Sequence, residues 1–248
     1  MAPIIKVENV TVQYDGRTIL ENVSFDIQKG EIFMIVGGSG CGKSTMLRQI
    51  IGLEVPTKGN IYIDGENICT ATRKEKNNIL KKFGVLFQSS GLFASMTLAE
   101  NIALVLEKYT NMSEECITEM IDMKLAAVGL RGYDAFLPSE ISGGMKKRAA
   151  LARAMALDPK ILCFDEPSSG LDPITSASMD ALIKEINSAL GTTMVVVSHD
   201  LASVLTTADK VIVLDSNTKG IIAMGNPNQL KDDKSNMSVY NFFNRISQ

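Results

Sequence analysis

The segment Gly37–Ser44 reads GGSGCGKS and fits the pattern G-x-x-x-x-G-K-[ST]. It follows the apolar run Glu31–Val36, which predicts a strand, and it leads into Ser44–Ile51, which predicts a helix. A glycine-rich loop in this position wraps phosphate groups with its backbone N–H groups, and the helix N-terminus adds a partial positive charge. No other feature constrains the fold as much, because this one predicts the strand, loop and helix of an α/β nucleotide-binding core.

The residues of this loop suggest separate roles in binding ATP. We expect Lys43 to reach the β- and γ-phosphates and Ser44 to bind Mg²⁺. A glycine-rich turn with a surface lysine is the alternative, but it does not explain the flanking strand and helix. Cys41 lies near the predicted helix N-terminus, where a thiolate is favoured, so we also expect Mg-ATP to protect it from alkylation. The predicted ATP-binding loop comprises Gly37, Gly38, Ser39, Gly40, Cys41, Gly42, Lys43, Ser44 and Thr45.

Two acidic residues follow a predicted buried strand later in the chain. The strand is Ile161–Phe164, and Asp165 and Glu166 come directly after it. Open α/β sheets bind ligands at the carboxyl ends of their strands. We therefore expect Asp165 to hold Mg²⁺ and Glu166 to act as general base on the water that attacks the γ-phosphate. Acidic pairs at strand ends are common, and this pair is informative because the phosphate loop accompanies it.

Three further residues are candidates because of the strands that they end. His199, the only histidine in the chain, follows Thr193–Ser198 and is expected at the same sheet edge, where it could hydrogen-bond the γ-phosphate. Gln88 ends the predicted strand Phe83–Phe87 and could contact Mg²⁺ or the attacking water. Tyr14 ends the first β run and could stack on adenine, although a core tyrosine fits the spacing nearly as well.

The pattern of apolar residues predicts the fold class. Alternating residues in Val10–Tyr14 and Val23–Ile27 predict strands, and Lys58–Asn60 predicts a turn between strands. Further along the chain, short apolar runs alternate with helices, which is typical of a parallel sheet covered on both faces. We therefore predict an α/β fold with a P-loop NTPase core, in which a mainly parallel sheet is flanked by helices. An N-terminal antiparallel β subdomain and an inserted α-helical subdomain complete it.

The same pattern predicts the organisation of the chain. We expect residues 1–94 and 158–230 to form the nucleotide-binding core, and residues 95–157 to form the helical subdomain. We expect residues 231–248 to form a C-terminal tail, which begins as a polar linker and ends in one apolar helical face. Docking of this face on the same chain is expected, and docking on a second copy of the chain is the alternative. The residues of that face are Val239, Phe242, Phe243 and Ile246.

Composition excludes several classes of protein. A net charge of −3 argues against a broad basic surface that grips nucleic acid. No apolar run approaches the roughly 18 residues of a membrane-spanning helix, and the N-terminus has no basic-then-apolar export pattern, so we expect a cytoplasmic protein. The four cysteines are scattered and include no C-x-x-C pair, which predicts reduced thiols rather than disulfides or a zinc site.

A second glycine pair lies in Ser139–Arg148, which reads SEISGGMKKR. With the motifs above, it resembles the nucleotide-binding subunit of ABC transporters over essentially the whole chain. Gly37–Thr45 is then similar to the Walker A loop and Ile161–Glu166 to Walker B. The other similar motifs are the A-loop aromatic Tyr14, the Q-loop Gln88, the switch histidine His199, the signature residues Ser142, Gly143, Gly144 and Met145, and the D-loop Ser169–Asp172 with Asp172.

This resemblance implies that the two glycine-rich motifs of one chain serve different ATP molecules. Two copies would pair head to tail, and the signature of one copy would cover the γ-phosphate held by the Walker A loop of the other. ATP and Mg²⁺ would be bound between the copies. A simple nucleotide kinase would leave the signature and the D-loop unexplained.

The residue after the signature glycines points to a particular subgroup of ABC transporter ATPases. Met145 stands where many transport ATPases carry glutamine. The strings SGGMKKR, FDEPSSGLDPIT and VVVSHDLASVL resemble the ATPases of Mla/Mce-type bacterial lipid transporters. That implies a phospholipid cargo, and as partners a second copy, integral-membrane permease subunits and an Mce-type lipid-binding subunit at the cytoplasmic face of the inner membrane. The alternatives are a transporter of another cargo, such as an amino acid, ion or drug, and a soluble permease-free ATPase of the iron–sulfur assembly type.

Overall fold

The computed structural model describes residues 2–246. Its strands are β1 (Ile5–Tyr14), β2 (Arg17–Ile27), β3 (Ile32–Gly37), β4 (Lys58–Ile63), β5 (Glu66–Asn67), β6 (Phe83–Leu86), β7 (Ile161–Asp165), β8 (Thr193–Val197), β9 (Lys210–Asp215) and β10 (Gly220–Gly225). Its α-helices are α1 (Lys43–Ile50), α2 (Arg73–Leu80), α3 (Leu98–Tyr109), α4 (Glu114–Ala127), α5 (Gly143–Ala154), α6 (Pro173–Leu190), α7 (Leu201–Thr207), α8 (Pro227–Asp232) and α9 (Met237–Asn244). A 3₁₀ turn at Pro138–Glu140 precedes α5.

The larger sheet places the candidate residues at one edge. Its strand order is β10-β9-β3-β8-β7-β6, and all neighbours are parallel except β10, which is antiparallel to β9. Parallel strands end on the same side of a sheet, so the segments that follow β3, β6, β7 and β8 meet there. The predicted mainly parallel core is therefore confirmed.

The smaller sheet is antiparallel, with the order β2-β1-β4-β5, and it confirms the predicted N-terminal β subdomain. The predicted turn at Lys58–Asn60 is wrong, because these residues begin β4. Gly59 has φ +90°, and a Cβ there would lie 2.4 Å from the carbonyl oxygen of Asn9. The register of β1 against β4 shifts between Glu8 and Thr11. The glycine thus marks an irregularity in the strand pairing rather than a reversal of the chain.

Strand β3 is buried on both faces and separates two hydrophobic cores. Phe33 and Ile35 pack with α1 and the smaller sheet, and the ring of Phe33 stacks on Phe25 with centroids 5.3 Å apart. Met34 and Val36 pack on the opposite face with residues of α3 and α6. Because both faces of β3 are fixed by packing, the loop that follows it starts from a rigid position.

Helix termini follow the capping signals of the sequence. The predicted capping box at the start of α3 is present, since the backbone N–H of Thr97 donates to Glu100 at 2.7 Å and that of Glu100 donates to the Thr97 hydroxyl at 3.1 Å. The same arrangement of Thr72 and Glu75 begins α2, a helix that the apolar periodicity did not predict because only Ile79 of its residues is buried.

The predicted tail is more structured than a linker, because α8 extends into its first residues and α9 follows closely. Val239 and Phe243 of α9 are 1% and 3% exposed and belong to the core that includes α6, so the predicted docking on the same chain is confirmed. Phe242 is half-buried against that core. Ile246 lies after the end of α9 and is 49% exposed, so its assignment to the docking face is wrong. Within residues 2–246, no helix combines the length and the apolar character needed to cross a membrane.

Candidate nucleotide-binding site

Two glycines shape the loop between β3 and α1. Gly37 has φ +146°, and a Cβ at this position would lie 2.2 Å from the carbonyl oxygen of Leu214. Gly42 precedes α1 with φ +98°, and its Cβ would lie 2.7 Å from Cδ2 of Leu20. Neither position accepts an ordinary side chain without a shift of its neighbours. The loop is therefore held close to β9 and β2, and the N-terminus of α1 opens onto it.

The polar side chains after the loop make specific contacts. The Nζ of Lys43 donates to the carbonyl oxygens of Gly37 at 3.0 Å and Gly38 at 2.9 Å, so the ammonium group lies over the loop. The Oγ of Ser44 donates to Oδ1 of Asp165 at 2.9 Å. Two of the residues predicted to bind Mg²⁺, which are distant in the sequence, are thus in direct contact.

Glu166 and His199 form a second contact at the same edge. The Nδ1 of His199 lies 2.6 Å from Oε2 of Glu166, and the side chains are 67% and 12% exposed, respectively. Glu166 follows β7 directly and has φ +53°, which is unusual for a residue with a side chain. Its backbone N–H donates to the carbonyl oxygen of Val197 at 3.0 Å. The histidine therefore lies at the solvent side of a nearly buried carboxylate.

Gln88 links two loops through its side chain, because its Nε2 donates to the Oγ of Ser169 at 3.3 Å. Its backbone carbonyl oxygen accepts a short hydrogen bond from Nζ of Lys147, which also donates to the carbonyl oxygen of Glu166 at 3.4 Å. Burial lowers the pKa of the Lys147 ammonium group, against the opposing effect of the nearby Glu166 and Asp165 carboxylates. Lys147 was missed as a site residue, and the only signal for it is the basic pair that follows the signature.

Tyr14 is not a core residue, since it is 42% exposed. Its hydroxyl donates to a carboxylate oxygen of Glu54, and that same oxygen accepts a hydrogen bond from Nε2 of Gln49 at 3.0 Å. Partial burial and the Glu54 carboxylate raise the pKa of the Tyr14 phenol, so the phenol is neutral at physiological pH. The phenol end of the ring is fixed by this contact.

The structure brings most of the predicted residues into one open cleft of about 440 Å³. Gly37, Gly38 and Cys41 do not line this cleft, and neither does Asp165, which is hydrogen-bonded to Ser44. Ile19 of β2 lines it and was not predicted, because nothing in its sequence context distinguishes it from other strand residues. The lining residues are Tyr14, Ile19, Ser39, Gly40, Gly42, Lys43, Ser44, Thr45, Gln88, Glu166 and His199.

The expectation of a reactive thiolate at Cys41 is wrong. Cys41 is 1% exposed and packs in the core between the two sheets. Burial raises the pKa of its thiol, and the nearby charge of Lys43 opposes this shift without cancelling it. The backbone of the loop faces the cleft while this side chain points inward, so protection by Mg-ATP would not report on nucleotide binding.

The signature residues lie outside the cleft, at the start of α5. The Oγ of Ser142 caps this helix by accepting the backbone N–H of Met145 at 3.3 Å. Gly144 is close to the start of α6, since a Cβ there would lie 2.6 Å from Cγ2 of Thr175. Asp172 caps α6 by accepting the backbone N–H of Thr175 at 3.1 Å, and its hydrogen bonds with Thr175 lower the pKa of its carboxyl group. The signature and the D-loop thus lie beside each other, away from the phosphate loop of the same chain.

Comparison with known proteins identifies the class to which this fold and cleft belong. The model of the ABC transporter family matches residues 20–169. The chain belongs to the ABC transporter family. It is the ATP-hydrolysing cassette of that family, with the mainly parallel core and the antiparallel β subdomain described above and with helices α3, α4 and α5 inserted between β6 and β7.

Individual relatives place the chain more closely within this family. It is 43% identical over 227 residues, which are 92% of this chain and 85% of the relative, to the intermembrane phospholipid transport system ATP-binding protein MlaF of Haemophilus influenzae. It is 42% identical over 214 residues, 86% of this chain and 62% of the relative, to the probable ribonucleotide transport ATP-binding protein mkl of Mycobacterium leprae. Among solved structures, it superposes with a TM-score of 0.81 and 33% identity on the dimeric ATP-binding cassette MJ0796 bound to ADP and Pi, over 90% of this chain and 98% of that one.

Proposed function

We propose that this chain works as one of two paired cassettes that bind ATP between them and drive a membrane permease for phospholipid. The observation that carries this proposal is that one cleft brings the phosphate loop together with Gln88, Glu166 and His199. These residues come from four segments at the carboxyl edge of one sheet. We assign phospholipid as the cargo because the chain is similar to a phospholipid transport ATP-binding protein.

The cleft supports a specific role for each residue. The ring of Tyr14 stacks on adenine, and residues Gly37–Thr45 wrap the phosphates, with Lys43 on the β- and γ-phosphates. Glu166 accepts the proton of the attacking water, because it is a nearly buried carboxylate at the edge of the cleft. His199 holds this carboxylate and contacts the γ-phosphate, and Gln88 contacts Mg²⁺ or the attacking water.

The donor atoms near the loop fit Mg²⁺. Ser44 and Asp165 present a hydroxyl and a carboxylate oxygen 2.9 Å apart, and hard oxygen donors of this kind are those that Mg²⁺ prefers. Gln88, at the rim of the same cleft, supplies a further amide oxygen. When bound, Mg²⁺ would neutralise charge on the β- and γ-phosphates. Ser44 and Asp165 would hold it and thereby keep the phosphates in line with Glu166.

Pairing of two copies explains the position of the signature. Ser142, Gly143, Gly144 and Met145 start α5 outside the cleft, so in a single chain they have no ATP to contact. Head-to-tail pairing places them over the ATP of the second copy, beside the D-loop residue Asp172. The solved dimer of a similar cassette with ADP and Pi supports this arrangement. Residues 1–94 and 158–230 then act as the nucleotide-binding core, residues 95–157 carry the signature, and residues 231–248 form the tail.

The partners follow from the cargo. A phospholipid transporter requires integral-membrane permease subunits, and we assign an Mce-type lipid-binding subunit to the same complex. The chain would then bind ATP and Mg²⁺ at the cytoplasmic face of the inner membrane, where it is peripheral. A ribonucleotide cargo is the second candidate, because a relative with nearly the same sequence identity to this chain is described as a probable ribonucleotide transport protein.

Copurification with the Glu166→Gln variant tests this proposal, since the variant traps the ATP-bound complex. The tagged variant and the wild-type chain are purified from native cells in mild detergent, and the bound proteins, lipids and nucleotides are identified by mass spectrometry. We expect a multispan membrane protein, a lipid-binding companion and enriched phospholipid. A membrane protein that carries bound ribonucleotide without phospholipid would favour the second candidate. Soluble partners alone in several detergents would overturn the transport function and favour a permease-free ATPase.

A further inference from the structure

Lys147 of α5 is a charged side chain in an unusual setting. The residue is only 6% exposed, and its Nζ donates to the backbone carbonyl oxygens of Gln88 and Glu166, the latter at 3.4 Å. Both direct acceptors are carbonyl groups, and the carboxylates of Glu166 and Asp165 act on the ammonium group only through space, so no direct ion pair compensates its burial. A buried cation without a direct ion pair is costly to keep, and it calls for a functional explanation.

The hydrogen bond from Nζ of Lys147 to the carbonyl oxygen of Glu166 restrains the peptide group that follows Glu166. Glu166 has φ +53°, a left-handed conformation that a residue with a side chain keeps only when its surroundings hold it. Its carbonyl oxygen accepts Nζ of Lys147 and the backbone N–H of Ser169 at 3.1 Å, while its own N–H is bound to Val197. Rotation of this peptide would swing the carboxylate away from His199. The contact with Lys147 therefore restrains the direction of the Glu166 side chain.

The second acceptor of Lys147 lies on the loop after β6, which α5 holds at two places. Lys147 binds the carbonyl oxygen of Gln88, and Arg153 donates to the carbonyl oxygens of Gly91 at 2.8 Å and Ser90 at 3.3 Å. Arg153 also donates to Oδ1 of Asn101 in α3 at 3.4 Å. Lys147 contacts both this loop and the residue that follows β7, so it joins the two subdomains at the reacting carboxylate.

We propose that Lys147 is a positioning residue that ties the helix beginning at the signature to the orientation of the Glu166 carboxylate. Because Ser142 caps the helix that carries Lys147, a shift of α5 against the core changes the distance from Nζ to the Glu166 carbonyl oxygen. Seating of the signature on the ATP of the paired copy would then set the general base in place. This inference rests on the proposed roles of Glu166 and of the signature.

Steady-state ATPase kinetics of the full chain test the inference. Lys147→Met removes the donors at similar side-chain length, Lys147→Arg keeps donors and charge, and Lys146→Met makes the same substitution at the half-buried neighbouring position. We expect Lys147→Met to lower kcat by about 10- to 100-fold, the scale of a small misplacement of a reacting group, with KM for ATP changed less than about threefold. We expect Lys147→Arg to recover most of the lost kcat, and Lys146→Met to match the wild type.

A double variant separates positioning from a merely structural role. If Lys147 acts through Glu166, Lys147→Met in the Glu166→Gln background lowers kcat no further. Multiplicative losses in the double variant, or a kcat of Lys147→Met equal to that of Lys146→Met, would overturn the inference. Should Lys147→Met unfold, the comparison is made with Lys147→Gln, and thermal unfolding of each variant identifies such a case. A Glu166→Gln variant with wild-type kcat would instead overturn the proposed role of Glu166, so the two failures are distinguishable.

Discussion

Oε2 of Glu166 lies 2.6 Å from Nδ1 of His199, and these residues follow β7 and β8, which are neighbouring parallel strands. The contact holds one carboxylate oxygen at the solvent side. The backbone of Glu166 is fixed by its N–H bond to Val197. A carboxylate that is held at both its backbone and one oxygen has a defined direction before ATP is hydrolysed.

Replacement of this carboxylate should remove hydrolysis and spare binding. We expect Glu166→Gln to lower kcat for ATP hydrolysis by about 10²–10⁴, the usual effect of a positioned general base. The amide keeps the shape of the side chain but cannot take the proton of the attacking water. The Kd for ATP, measured by equilibrium dialysis, should stay close to that of the wild type. Loss of ATP binding together with activity would show that the residue serves binding instead.

Complementation between inactive variants tests whether each ATP site is shared by two chains. Lys43→Ala removes the lysine proposed to bind the phosphates, and Ser142→Arg is designed to block the proposed signature contact, so each variant alone should be inactive. In an equal mixture, half of the pairs are mixed, and each mixed pair has one intact site, so about a quarter of the wild-type activity should return.

A matched mixture serves as the control for that experiment. Lys43 and Glu166 line the same cleft of one chain, so Lys43→Ala mixed with Glu166→Gln forms no intact site and should stay inactive. Recovery in this control, or none in the mixture with Ser142→Arg, would contradict head-to-tail pairing.

Local sequence signals predicted the strand ends that carry the cleft, because parallel strands bring their carboxyl ends to one edge whatever their order. The pairing of Glu166 with His199 depends on which strands are neighbours, and spacing along the chain does not encode that. The direction of the Cys41 side chain was mispredicted for a related reason. A loop pattern fixes the backbone conformation, while the packing of β9 behind it decides which side chains point inward. Lys147 was missed because its two acceptors are backbone atoms of distant loops.

The corrected environment of Cys41 predicts a defined order of thiol reactivity. Cys116 is exposed, Cys69 is half-buried, and Cys41 and Cys163 are buried. Burial raises the pKa of Cys41, Cys69 and Cys163, so it lowers their thiolate fraction and their access to reagent. Alkylation of the folded protein with iodoacetamide at neutral pH, followed by mass spectrometry, should modify Cys116 first, with or without Mg-ATP.

Two controls make this measurement decisive. A Cys116→Ser variant should remove the fast phase, and denaturant should expose all four thiols. If Cys41 in the folded chain were labelled rapidly and Mg-ATP suppressed this labelling, the result would contradict the buried position of Cys41.

The docking of α9 predicts that the end of the chain contributes to stability. Phe243 is 3% exposed in the core that includes α6, whereas Ile246 is 49% exposed. Truncation of a buried phenylalanine removes its transfer free energy and leaves a cavity, so Phe243→Ala should lower the free energy of unfolding by about 3–5 kcal/mol. For a domain of this size, that corresponds to a fall in Tm of roughly 6–20 °C in a thermal scan. Ile246→Ser, which changes an exposed apolar residue nearby, should leave Tm almost unchanged. Equal Tm values for the two variants would show that α9 does not pack stably on its own chain in solution.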